Sequence, residues 1–161
     1  MKVLKILGAV LGVSFLGVGL LFVLARFHDG PLAMIPGGPL EAGELVSQPI
    51  GDWGFASEVE EIELQLAGDE TSRTTWILVS EGRAYIPCSL SFPPGKNWYR
   101  RADENGAALI RIQGKRYPVT LTRVTRPGIE KELGPIVERK YGRVPSGDEG
   151  GWFFELASRE I

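Results

Sequence analysis

The sequence predicts a mainly β protein: a small antiparallel barrel of about six strands with short helices, carried behind one N-terminal transmembrane helix. Three observations predict it. Residues 6–24 contain no charged side chain. Residues 60–66 alternate, with Ile62, Leu64 and Leu66 on one face and Glu61, Glu63 and Gln65 on the other, the pattern of a strand with one wet side. Two pairs of β-rich segments meet at the dipeptides Glu81-Gly82 and Gln113-Gly114, as the strands of tight hairpins do.

The apolar run comes first. At about 1.5 Å per residue it spans roughly 28 Å, close to one hydrocarbon core. Lys2 and Lys5 precede it, and Arg26, His28 and Asp29 follow. The basic front flank places the N-terminus in the cytoplasm and the domain on the far side, although Arg26 works against that orientation. A cleaved signal peptide is the rival reading, with Val23-Leu24-Ala25 as its small-residue site. The run exceeds the roughly 7–15 residues of such a segment, which favours an uncleaved anchor. Gly8 and Gly12 form a GxxxG, which fits helix dimerisation as well as the ordinary glycine content of such helices. The chain divides into an anchor at 1–27, a Gly/Pro-rich linker or wrapping loop at 28–57, and a barrel domain at 58–161.

Composition excludes several functions. The 161 residues carry 18 basic and 20 acidic side chains; without Lys2 and Lys5 the basic count falls to 16. That leaves no basic field of the kind nucleic acid demands. Cys88 is the single cysteine and His28 the single histidine, so an intrachain disulfide and a structural zinc site are both excluded.

Along the domain, 74–80 (TTWILVS) reads as a central strand, apolar on both faces. It turns at Glu81-Gly82 into 83–89, which Pro87 should end or bulge. The loop 91–96 leads to Asn97, an N-cap for a short helix through Glu104 that Gly106 closes. Residues 107–112 and 116–124 form the second hairpin. Pro127 opens a helix that Gly134-Pro135 should break in two, with Gly142 capping the second piece. A flexible loop at 144–151 and an aromatic strand at 152–156 complete the chain. In the linker, 32–35 and Trp53-Gly54-Phe55 are apolar enough to dock on the barrel.

The usual catalytic sets are missing. His28 stands beside the apolar run, so the domain holds no histidine for a hydrolytic triad. No phosphate-binding loop or dinucleotide fingerprint follows a strand. Cys88 reads as a buried structural thiol. What remains is a group of anion-binding side chains around one strand pair. Arg73, Thr74 and Thr75 begin the first strand, and Ser89 and Ser91 end the second. Lys96 precedes a helix that starts Trp98-Tyr99-Arg100-Arg101. Cations, hydroxyls and a helix start suit a phosphate, and Trp98 with Tyr99 suits a flat ring. The plain alternative is a wet helix face, a core tryptophan and a loop lysine.

The order of these pieces resembles the flavin-binding split barrels, the pyridoxamine-phosphate-oxidase-like proteins. The stretch PPGKNWYRRADENGAALIRIQGKRYPVTLTRV resembles the deazaflavin-dependent nitroreductase branch, and LGPIVERKYG resembles its C-terminal helix. The resemblance covers 60–156 and implies a cofactor, FMN or a deazaflavin coenzyme. It assigns Arg73, Thr74 and Thr75 to the phosphate or ribityl chain, Ser89 and Lys96 to the phosphate, and Trp98 and Tyr99 to the ring edge. It also implies a reductase of quinone-like or nitro-aromatic compounds and a homodimer with a shared site. Arg100-Arg101-Ala102 stands where that branch has an Asn-Leu pair. The competing expectation is a non-enzymatic anchored barrel that binds a lipid, a small ligand or a protein.

Overall fold

The computed structural model describes residues 2–91, 93–142 and 151–160. The elements run α1 (Lys2–Arg26), β1 (Glu44–Leu45), a 3-10 turn (Gly54–Ala56), β2 (Glu61–Leu66), β3 (Arg73–Trp76), β4 (Leu78–Ser80), β5 (Arg83–Ser89), α2 (Trp98–Glu104), β6 (Ala107–Ile112), β7 (Lys115–Arg123), α3 (Ile129–Tyr141) and β8 (Gly151–Ser158). The strands are ordered β3-β2-β6-β7-β8-β5-β4, with β1 added in parallel beside β7. The rest of the sheet is antiparallel.

Both hairpin turns have the predicted geometry. Glu81 and Gly82 have φ of 51° and 74°, and Gln113 and Gly114 have 49° and 78°. Two successive positive φ values give the primed turn whose twist matches its strands.

The expected central strand at 74–80 is instead two edge strands. Among the described residues β3 pairs with β2 alone, at one end of the strand order, and β4 with β5 alone, at the other. Ile77 lies between them, so one continuous segment closes the sheet into a barrel. This raises the path from six strands to seven. It also explains why the segment is apolar on both faces. Ile77 is fully buried in the barrel core, whereas Leu78 faces a second cluster under α3.

Inside the barrel lie Ile62, Leu64, Ile86, Ile110, Ile112, Val119, Leu121 and Phe154. Each such side chain contributes about 1.5–3 kcal/mol of burial free energy. The second cluster joins Leu78, Tyr85 and Phe153 to Ile129, Leu133 and Val137 of α3. Along β5 and β8 neighbouring residues serve opposite clusters, Tyr85 against Ile86 and Phe153 against Phe154, as the period of a strand requires.

Three further expectations are corrected. Pro87 does not end β5, which continues to Ser89 and pairs Pro87 with Phe153. Because Ser80 and Arg83 close a two-residue turn, the N–H groups of 83, 85 and 87 point toward β4. That strand's pairing stops at Tyr85, so the donor that Pro87 lacks has no partner to lose. α3 is one helix with Pro135 inside it. The missing N–H frees only the Lys131 carbonyl, beside an exposed side chain, while Ile129, Leu133 and Val137 hold the helix down at four-residue spacing. Gly142 caps it in the left-handed conformation, as expected. Gly106 does not cap α2, whose C-cap is Asn105. It accepts a bond from Leu121 N–H at 2.8 Å and leaves no room for a Cβ, which would lie 1.9 Å from the Leu121 carbonyl oxygen. Of the two alternatives expected for 28–57, the wrapping loop fits: Trp53 and Ala56 are buried in the barrel core, although Met34 stands 74% exposed. The expected loop at 144–151 lies outside the described residues except for Gly151.

Over residues 6–24 the large apolar side chains of α1 stand 44–77% exposed. Its length and composition suit a membrane span, and near an N-terminus they suit a signal sequence equally.

The bend at Ile77 makes a direct prediction. Tyr141 Oη accepts from Ile77 N–H at 3.2 Å, and burial pushes its hydroxyl up to about 12. The unfolded chain releases that proton near pH 10. Between pH 10 and 12 the folded state therefore holds a proton that the unfolded state has lost, and stability falls as pH rises. Tyr141→Phe should cost about 1–2 kcal/mol at pH 8 and show a smaller fall between pH 9 and 11.5 by urea unfolding in detergent. An equal fall in both proteins would contradict this role.

Candidate functional site

Closure through Ile77 leaves a seam. Before Trp76, β3 has no hydrogen-bonded neighbouring strand among the described residues on the side away from β2. Beyond Tyr85, β5 likewise has none among the described residues on the side away from β8. The predicted site residues lie on these two edges and on the loop and helix that follow β5.

Register sorts the β3 residues. Arg73 stands opposite Leu64 and Thr75 opposite Ile62, both core residues, whereas Thr74 stands opposite Glu63. Directly opposed residues share a face, so Arg73 and Thr75 face inward and Thr74 faces out. Thr74 Oγ1 donates to the Ala33 carbonyl at 2.6 Å. The expected Arg-Thr-Thr triplet is therefore split between two faces.

Arg73 is the centre of the inward group. Its guanidinium lies 5.8 Å from the centre of the Trp98 ring and pairs with Asp69 at 3.4 Å. Asp69, 10% exposed, also pairs with Arg101 of α2. Burial pulls the Arg73 pKa down, Asp69 offsets this, and Arg101 adds to the lowering. Arg73 Nε is buried without a partner, an unspent donor beside a ring face. On the β5 edge, Ser89 Oγ and Ser91 Oγ are 3.3 Å apart. Lys96 bonds the Cys88 sulfur; burial lowers the lysine's pKa and Cys88 partly restores it. Burial pushes the Cys88 thiol up to about 11, against the pull of Lys96 and Arg73, so it is a neutral thiol at physiological pH.

Trp98 and Tyr99 are 6% and 7% exposed. Trp98 packs on Phe154 at 5.7 Å and Tyr99 edge-on against Trp152 at 5.2 Å, and Arg100 covers the Tyr99 ring at 5.7 Å. Their rings are engaged within the protein. Asn97 makes no side-chain cap, and α2 has seven residues, so the helix start adds little to anion binding.

Among the described residues, Asp69 joins Arg73 to Arg101, and Lys96 meets the Cys88 sulfur on the neighbouring strand. Sequence reading missed Asp69, which sits four residues before Arg73 and is placed only by the β2–β3 register. It also missed Arg101 as Asp69's second partner.

Two surface clefts lie elsewhere. One, of about 420 Å³, is lined by residues 123–131 and 151–153. The other, of about 310 Å³, is lined by Glu61, Glu63, Thr74 and Arg111 among others. Of the seven predicted residues only Thr74 lines either.

No protein-family model matches the sequence, and no curated protein matches it. Among solved structures the chain is similar to a protein of Listeria innocua provisionally assigned as a pyridoxamine 5′-phosphate oxidase. The TM-score is 0.45 at 9% identity, covering 62% of this chain and 83% of that one. It is also similar to a NimC/NimA family protein of Clostridium acetobutylicum, with a TM-score of 0.42 at 20% identity, covering 63% and 74%.

The protonated, buried state of Cys88 is open to test. The native protein at pH 8 should react with a thiol reagent at least tenfold more slowly than the same chain in guanidinium chloride, because the thiolate is the nucleophile. Equal rates would place the sulfur in solvent.

Proposed function

We propose that the barrel binds a phosphate-bearing flavin-type cofactor, FMN or a deazaflavin coenzyme, at the seam between β3 and β5, while α1 anchors it in a lipid bilayer. The observation that carries this is Arg73 Nε, buried and without a hydrogen-bond partner among the described residues, beside the Asp69 bridge to Arg101. A guanidinium donor without a partner costs free energy unless a ligand completes it. Arg73, Lys96 and the Ser89 hydroxyl are the groups of this chain that would hold the phosphate. The fit covers only that half of the cofactor. Trp98 and Tyr99 are committed to the core, so the ring would lie outward of them, against a second copy of the chain if the protein is a homodimer. When bound, such a cofactor supplies two-electron redox chemistry. The protein's own groups orient it and limit water, which requires no histidine. A quinone-like or nitro-aromatic acceptor suits an anchored protein, because such molecules partition into the bilayer.

The second reading is a non-enzymatic binder, supported by the engagement of both aromatic rings within the core. Titration of the detergent-purified full chain with FMN and with a deazaflavin coenzyme, followed by absorbance, separates the two. Saturable binding weakened about tenfold or more by Arg73→Ala and by Lys96→Ala is the expected result, since a charge-assisted bond contributes about 1.5–3 kcal/mol. Absence of binding to either cofactor would leave the non-enzymatic reading standing. Binding unchanged in both variants would remove the seam as the site.

A further inference from the structure

The junction between α1 and the barrel is built as a socket rather than a tether. Leu24 is 57% exposed and Phe27 83%, yet Ala25 between them is fully buried. The helix closes with Phe27 N–H on the Leu24 carbonyl and His28 N–H on that of Ala25, both at 3.1 Å. The next carbonyl, that of His28, accepts from Gly38 N–H at 2.9 Å. Gly38 runs so close beneath the helix end that a Cβ there would lie 2.7 Å from the His28 oxygen and 2.8 Å from that of Arg26. The strap is in turn fixed to the sheet. Gly37 and Ser72 exchange backbone bonds of 3.1 and 3.2 Å, and the fully buried Ser72 donates its hydroxyl to the Gly38 carbonyl at 2.6 Å.

Side chains extend the same joint. Arg26 pairs with Glu70 at 2.8 Å. Asp29 accepts from Glu41 N–H and from Arg111, each at 2.7 Å, and Arg111 also pairs with Glu63 of β2. Arg26, His28 and Asp29 are therefore tied to the turn between β2 and β3, to the segment at 37–41 or to the sheet, and Ala25 is buried beside them. No spacer separates the end of the apolar run from the domain. A free linker of even ten residues would give about 16–19 Å of play.

We infer that α1 is a rigid stalk whose last turn is part of the barrel domain, so that the barrel is held in one attitude against the bilayer surface with Phe27 in the interfacial layer. This rests on the reading of α1 as a retained bilayer span. The span and the socket adjoin, so the strap face lies at headgroup depth. Phe27 is the exposed aromatic at that level, a depth that favours aromatic side chains.

The test measures spin-label distances in the full chain, carrying Cys88→Ala, with nitroxides at Phe22→Cys and Glu104→Cys in phosphatidylcholine nanodiscs. The expected result is a single distance distribution no wider than that of a pair within the barrel, at Lys115→Cys and Glu104→Cys. Inserting Gly-Ser-Gly-Ser after Leu24, which leaves the barrel intact, should widen it at least twofold. Gly38→Val should do the same where it folds. A broad distribution without the insertion, or an insertion that changes nothing, would overturn the socket. Flotation with phosphatidylcholine vesicles tests the underlying reading separately. Failure to float together with a narrow distribution in detergent would overturn the bilayer attitude and retain the joint.

Discussion

A barrel closed by one continuous segment must bend that segment out of the ladder, and the bend at Ile77 is where the rest of the structure is decided. There the N–H and C=O of one residue leave the sheet, and a buried backbone without partners is costly. α3 solves this from outside. Tyr141 Oη accepts from Ile77 N–H, and Lys140 Nζ donates to the Ile77 carbonyl at 2.9 Å and to that of Val59 at 2.5 Å. The Tyr141 ring stacks on Trp76 at 4.0 Å, nearly parallel. The last turn of one helix thus holds the closure of the sheet. The cluster beneath α3 and the seam on the other side of the bend both follow from it.

The seam is the direct cost of that closure. A segment shared between two edges cannot pair along its whole length with both, so β3 and the far half of β5 face each other unpaired. Soluble proteins cover or charge such edges. Here Asp69 ties Arg73 on the β3 edge to Arg101 of α2, so the edge carries charge.

Much of the architecture was legible in the sequence. The alternation of 60–66 and the glycine turns at 82 and 114 marked five of the six expected strand segments, because each is a local signal. The bend at Ile77 was not legible, since TTWILVS is uniformly suited to a strand and its division depends on which edges it meets. α3 passes through Pro135 because an apolar stripe outweighs one lost hydrogen bond, a tertiary effect. β1 has two exposed residues and no pattern to read. At the site, Arg73, Ser89 and Lys96 were drawn together by their place at strand ends. The division of Thr74 from Thr75 needed the register, and the burial of Trp98 and Tyr99 needed the packing of Phe154 and Trp152. In the linker, Gly37 and Gly38 looked like flexible composition but serve close approach.

The most direct test of the account is amide hydrogen exchange of the full-length protein with and without saturating FMN. If the seam is the ligand site, exchange should slow at residues 73–76, 86–89 and 96–101, whose unpaired edges and cations the ligand would cover. Protection confined to 123–131 and 151–153, or no protection anywhere, would contradict it.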